Sequence, residues 1–200
     1  MVSGCDGFFG EPTNAEALFQ MAGCHAMGLG VTKSYRKALA FYEKSAAEGS
    51  VDALFYVGYL YREGRGCEQN LEIVRDCFRK AADLKYPRAY FQLGLLFELG
   101  LGVKQDEKRA ESCYKKGAKL HDPECYLALA NLLAMGRYRK PDFNKARAYV
   151  EAARKYVAPD DEGTLVKLTG PIECWLLWGI ITGRVEELPL LMRVHSDEKS

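Results

Sequence analysis

Glycines recur along this chain at a fixed interval of 36 residues, at Gly28, Gly64, Gly100 and Gly136. The same interval relates four residues of types that commonly cap helix starts: Ser34, Asn70, Asp106 and Asp142. A fixed period of roughly 20 to 50 residues is typical of repeat proteins, in which one unit cannot bury its apolar face alone and stacks on its neighbours. This period constrains the fold more than any other feature of the sequence.

Each repeat is predicted to contain two helices. The first helix of each repeat ends at the recurring glycine, because glycine adopts a positive φ without a steric penalty. The second helix begins at the capping residue, whose short side chain accepts from free amides of the first turn. A second glycine at Gly30, Gly66 and Gly102 indicates a sharp turn between the helices, and prolines at Pro87, Pro123 and Pro159 fit the start of the next repeat.

Small residues share one position in the middle of the first helices: Ala22, Gly58, Gly94 and Ala130. Glycine inside a helix costs about 1 kcal/mol relative to alanine. Its recurrence at one register therefore predicts a close approach by a neighbouring helix.

The pattern resembles the Sel-one-like repeat, a relative of the tetratricopeptide repeat. The resemblance rests on the first-helix cores ALFYVGYLYREGRG and AYFQLGLLFELGLGV and on the pairs Lys37–Ala38, Arg109–Ala110 and Lys145–Ala146. It covers about residues 14–158 and implies an all-α, right-handed α-solenoid of four helix-turn-helix repeats of 36 residues. The expected repeats are about 15–50, 51–86, 87–122 and 123–158, within a repeat domain that spans 1–158.

Residues 159–200 leave the register. Within IECWLLWGIITG, the run Leu177–Trp178–Gly179 matches the interior of a first helix. We therefore expect a loop over 159–170, a capping half-repeat over 171–183 that packs through Trp175 and Trp178, and a disordered tail, since terminal units of a stack are atypical.

Composition and charge limit the classes of partner, location and site that we expect for this protein. A net charge of +1 gives no reason to expect nucleic acid as the main partner, and no run approaches the roughly 20 apolar residues of a membrane span. Seven cysteines without a CxxC pair favour a reducing, cytoplasmic location, with Cys77 and Cys113 in the core. The three histidines are scattered. We expect no catalytic site, no metal and no cofactor.

The resemblance implies that the first helices line a concave groove. Eight side chains are predicted to face it and to bind a partner: Phe55, Tyr59, Arg62, Phe91, Leu95, Glu98, Leu127 and Asn131. An aromatic stripe at helical spacing is often ordinary core, and this alternative applies to Phe55 and Phe91. The predicted function is a non-enzymatic adaptor that binds a peptide or helix of a partner protein in this groove.

Two alternatives remain at the level of the sequence. One is a small-molecule-binding or hydrolase-like role, as proposed for the cysteine-rich branch of the family, although the cysteines here do not repeat as they do in that branch. The other is a structural module that self-associates weakly through Trp175, Trp178 and the LPLLM stretch of the C-terminal cap.

Overall fold

The computed structural model of the protein describes residues 14–136 and 140–156. In these two ranges the chain forms helices and no strand, so the all-α prediction is confirmed. The helices are α1 (Ala15–Met27), α2 (Tyr35–Ala47), α3 (Val51–Glu63), α4 (Leu71–Asp83), α5 (Pro87–Leu99), α6 (Glu107–Lys119), α7 (Pro123–Met135) and α8 (Phe143–Tyr156).

The helix boundaries follow the periodic residues of the sequence. The predicted glycines close the first helices with positive φ, for example 80° at Gly28 and 64° at Gly64. The predicted caps start the second helices: the Ser34 hydroxyl accepts from the Lys37 amide at 3.3 Å, and the Asp106 carboxylate accepts from the Arg109 amide at 3.0 Å. Local sequence alone is enough to set these boundaries, because each cap acts on its own helix.

The chain divides into two compact units. The first contains α1 to α4, the first three residues of α5 and the turn Gly100–Lys104. The second contains the remainder of α5, Tyr90–Leu99, together with α6, α7 and α8.

The first unit is built around a core of apolar side chains from α1 to α4. Its buried members are Ala22, Ala38, Leu39, Tyr42, Ala53, Val57, Leu60 and Cys77. A Cβ added at Gly58 would lie 3.0 Å from the Cys77 Cβ and 3.0 Å from the Phe78 ring, which confirms the predicted close approach. Gly66 has a further role beyond the turn, since a Cβ there would lie 2.5 Å from the Tyr35 backbone of the preceding repeat.

The second unit uses the same device in α5 and α6. A Cβ at Gly94 would overlap the ring of Tyr114, which is fully buried. Tyr114 packs with Ala110, Ala118, Cys125, Leu129 and Leu132, and a second cluster between α7 and α8 includes Leu127, Phe143, Ala146 and Val150. Cys113 is buried in this unit and Cys77 in the first, as their shared repeat position predicts.

Several predictions fall outside the described residues: the loop over 159–170, the capping half-repeat over 171–183 with Trp175 and Trp178, the tail and Pro159. Within residues 14–136 and 140–156, no helix is both long enough and apolar enough to span a bilayer.

Candidate partner-binding surface

The predicted partner-binding residues lie on three first helices. Helix α3 carries Phe55, Tyr59 and Arg62 in the first unit. In the second unit, α5 carries Phe91, Leu95 and Glu98, and α7 carries Leu127 and Asn131. Because a helix repeats every 3.6 residues, the residues on each helix share one face. Their surroundings nevertheless differ.

Phe55 and Leu127 belong to the core. The Phe55 side chain is 5% exposed and its ring packs at 5.3–5.7 Å from the rings of Tyr56, Phe78 and Tyr86. Leu127 is 7% exposed in the cluster between α7 and α8. Both residues occupy the repeat position of Phe19, whose ring contacts Tyr56 of the next first helix at 5.7 Å. This position therefore fills space within the helix stack and leaves little surface for a partner.

Phe91 occupies that same repeat position in α5 and is half-buried. Its ring lies 5.9 Å from the ring of Tyr114, and it packs against the buried cluster of the second unit. Phe55 is therefore an ordinary core residue, which is the alternative considered for the aromatic stripe, and the same alternative applies to Phe91 in part.

Arg62 is already engaged with its neighbours. Its guanidinium lies 5.1 Å from the centre of the Tyr59 ring and donates to one carboxylate oxygen of Glu63 at 2.9 and 3.1 Å. The backbone carbonyl of Arg62 accepts a hydrogen bond from the side-chain amide nitrogen, Nε2, of Gln69 at 2.7 Å. An exposed ion pair of this kind contributes little to stability, about 0–1 kcal/mol, so a partner carboxylate can compete with Glu63 at small cost.

Glu98 has a structural role that the sequence did not reveal. One of its carboxylate oxygens accepts from the Tyr114 hydroxyl at 2.7 Å. Burial, with the nearby Glu98 charge, raises the pKa of Tyr114 far above its usual value, so the hydroxyl remains a donor. The available signal was the repeat position itself: Tyr42, Phe78 and Val150 occupy it elsewhere, and a hydroxyl placed in that buried position needs an acceptor.

Tyr59, Leu95 and Asn131 remain as half-buried side chains that the fold does not fully use. Neither the Tyr59 hydroxyl nor the Asn131 side-chain amide makes a hydrogen bond within the described part of the chain.

No group of three or more His, Cys, Asp and Glu side chains in the described ranges has the arrangement of a metal site. His25 packs in the core: it is 5% exposed, its ring stacks on Phe41 at 5.4 Å, and its Nδ1 atom has no hydrogen-bond partner among the described residues.

The described cysteines are free thiols: Cys24, Cys67, Cys77, Cys113 and Cys125. Burial raises the pKa of Cys77 to about 11 and also raises the pKa of Cys113. Since the thiolate is the reactive form, these two side chains behave as apolar core residues.

The Sel1 repeat model matches residues 15–50, 51–86, 87–122 and 123–155. The chain therefore belongs to the Sel1 repeat family, which is the Sel-one-like repeat that the sequence resembles. Three matched boundaries agree with the expected repeats, and the fourth repeat ends three residues earlier than 158. Proteins built from Sel1 repeats are generally protein-interaction scaffolds.

Solved structures agree with this assignment. The chain is 30% identical to a Sel1 repeat protein from Oxalobacter formigenes, with a TM-score of 0.68 over 75% of this chain and 62% of that one. It is 24% identical to c5321, a protective antigen of uropathogenic Escherichia coli, with a TM-score of 0.63 over 72% of this chain and 31% of that one. The chain thus spans less than two thirds of either protein. No curated protein matches the sequence.

A third solved structure shares the fold alone. The immunity protein Pa5087 from Pseudomonas aeruginosa is 21% identical, with a TM-score of 0.55 over 78% of this chain and 59% of that one.

Proposed function

We propose that this protein is a non-enzymatic adaptor whose first helices bind a peptide or helix of a partner protein. The observation that carries the proposal is a difference in burial among the predicted side chains of α3, α5 and α7. Phe55 and Leu127 are buried in the core, whereas Tyr59, Leu95 and Asn131 are half-buried, and the Tyr59 hydroxyl and the Asn131 amide make no hydrogen bond within the described residues.

The types of these residues suit recognition. Tyr59 combines a large apolar ring with a free hydroxyl, and tyrosine is enriched among residues that dominate binding energy. Leu95 offers apolar contact, and the Asn131 amide can both donate to and accept from a peptide backbone. Because each of these side chains lies on a helix that packs against its neighbour within one unit, it loses little backbone entropy when a partner binds.

We further propose a reducing, cytoplasmic environment for the protein. The supporting observation is chemical: the five described cysteines are thiols, and three of them are buried where an oxidised product would disrupt packing. A partner would then be sought among proteins of the same compartment.

The test begins with affinity purification of partners from native lysate, followed by measurement of the dissociation constant with the purified partner. Tyr59→Ala is expected to weaken binding about fivefold to tenfold, which corresponds to roughly 1 kcal/mol. Arg62→Ala and Asn131→Ala should weaken it as well, by smaller factors.

Arg79→Ala is the matched control, since Arg79 is an exposed arginine on α4, the second helix of its repeat. Circular dichroism should show the same helix content in all variants. If Tyr59→Ala, Arg62→Ala and Asn131→Ala all bind as tightly as the parent, the first-helix surface is not the partner site.

A further inference from the structure

The first repeat keeps a basic residue in the first turn of its second helix but lacks the carboxylate that neutralises it elsewhere. In α6, the Arg109 side chain pairs with the capping residue Asp106 at 3.4 Å. In α8, Lys145 pairs with the capping residue Asp142 at 2.9 Å. The equivalent residue in α2 is Lys37, and its cap is the neutral Ser34.

Two further cations flank the first residue of α2. The Lys33 ammonium lies 5.2 Å and the Arg65 guanidinium 5.4 Å from the centre of the Tyr35 ring. Arg65 also donates to the Tyr35 hydroxyl at 3.4 Å. A hydrogen bond from Lys33, and to a lesser extent the charges of Lys33 and Arg65, lowers the pKa of that hydroxyl.

The backbone holds these groups together. Gly66, next to Arg65, lies so close to the Tyr35 backbone that no side chain fits between them. The Tyr35 side chain packs against the core of the first unit and is half-buried. Lys33, Arg36, Lys37 and Arg65 are all exposed around it.

None of these four cations forms an ion pair with a described carboxylate. The first turn of α2 also contains no acidic residue, whereas those of α4 and α6 contain Glu72 and Glu107. Positive side chains at a helix start oppose the helix dipole and repel each other. The arrangement is therefore unfavourable in the free protein, and a negatively charged partner would relieve it.

We propose that Lys33, Tyr35, Arg36, Lys37 and Arg65, here called the Tyr35 surface, dock an acidic segment of a partner protein. Successive residues of a helix point about 100° apart, so the cations at 36 and 37 fan out from the ring instead of converging on one point. Such a spread matches several carboxylates along a chain better than a single phosphate. The Tyr35 ring adds apolar and hydrogen-bonding contact.

The proposal deepens the adaptor function by stating the chemistry of one partner, and it rests on that function. It uses none of the first-helix residues Tyr59, Leu95 and Asn131 that carry the proposed function. The two sets of residues can therefore be tested separately on the same chain.

The probe is fluorescein-labelled octaglutamate, with binding followed by fluorescence anisotropy at about 0.01 M salt, where charges interact over roughly 30 Å. The double variant Lys33→Gln/Arg65→Gln is expected to bind about fivefold more weakly than the parent. Lys116→Gln/Lys119→Gln removes the same charge from exposed positions on α6 and should bind like the parent. Tyr59→Ala should also bind octaglutamate like the parent, and circular dichroism checks that all variants fold.

Three results would overturn the Tyr35 surface: no binding by the parent, equal losses in the two double variants, or a loss with Tyr59→Ala alone. The last result would show that acidic segments bind to the first helices at Tyr59. It would support the adaptor function and exclude the Tyr35 surface as their binding site. An octathymidylate or phosphatidylserine vesicles that bind at least as tightly, with the same dependence on Lys33 and Arg65, would identify a general polyanion site and also overturn the proposal.

Discussion

At the scale of single residues, Gly94 shows why a glycine occurs in the middle of a helix, although glycine has a low helix propensity. A Cβ at this position would overlap the Tyr114 ring, and Tyr114 is fully buried and bonded to Glu98, so the ring cannot move aside. Gly23 in α1 is a useful contrast. A Cβ there would meet only the end of the Met27 side chain, at 3.9 Å.

Gly94→Ala is therefore expected to lower the free energy of unfolding by about 1–3 kcal/mol, because overpacking outweighs the gain in helix propensity. Gly23→Ala should raise it, by up to about 1 kcal/mol, since only the propensity changes. Urea unfolding followed by circular dichroism measures both. Equal effects of the two substitutions would show that the Tyr114 ring does not restrict position 94.

At the scale of elements, the turn that joins one repeat to the next contains a strained position. Gly49, Lys85 and His121 are 36 residues apart, and their φ angles are 94°, 60° and 63°. A left-handed conformation costs an ordinary residue about 1–2 kcal/mol, whereas glycine adopts it freely. Two of the three turns thus retain strain that the first avoids.

Lys85→Gly should stabilise the protein by up to about 1 kcal/mol, the relief of strain being partly offset by the greater freedom of glycine in the unfolded chain. The reciprocal change, Gly49→Ala, should destabilise it by about 1 kcal/mol. No atom lies within 4 Å of a Cβ at position 49, so backbone strain alone would cause the loss. Thermal unfolding of both variants provides the measurement, and destabilisation by Lys85→Gly would contradict it.

At the scale of the whole molecule, buried or half-buried phenol and thiol groups with raised pKa values couple folding to alkaline pH. Burial is the main cause that raises the pKa of Tyr42 and of Tyr86 to about 12, from 10.0, and that of Cys77 to about 11, from 9.0. Each group stays protonated in the folded protein at a pH where it ionises in the unfolded chain. Its contribution to stability is complete below the unfolded value and is lost as the pH rises through the folded one.

The free energy of unfolding is therefore expected to fall as the pH rises from about 9 to about 12, by up to roughly 1.4 kcal/mol per pH unit for the buried groups Tyr42 and Cys77 and by less for the half-buried Tyr86. Tyr42→Phe should make the fall less steep between pH 10 and 12, because one ionising phenol is removed. Urea midpoints over this range test the prediction, with Tyr59→Phe as a control at a half-buried position. An unchanged slope in Tyr42→Phe would show that its ionisation is not linked to folding.

Much of this protein follows from its sequence by local physics. Ser34 and Asp106 start their helices, Gly28 and Gly64 end theirs, and Pro87 and Pro123 begin new repeats, all as the 36-residue period predicts. Each of these residues acts on backbone groups within a few positions of itself. Sequence spacing is therefore sufficient to place them.

Only the tertiary structure decided which side chains are buried or hydrogen-bonded within the fold. Phe55 and Tyr59 are equally plausible surface residues on a helical projection, yet Phe55 packs against the rings of Phe78 and Tyr86 while the Tyr59 hydroxyl makes no hydrogen bond with any described residue. The Glu98–Tyr114 bond and the approach of Arg65 to Tyr35 join residues 16 and 30 positions apart. Such contacts depend on how helices of one unit pack against each other. The repeat period can show that a buried polar group needs a partner, but it does not identify that partner.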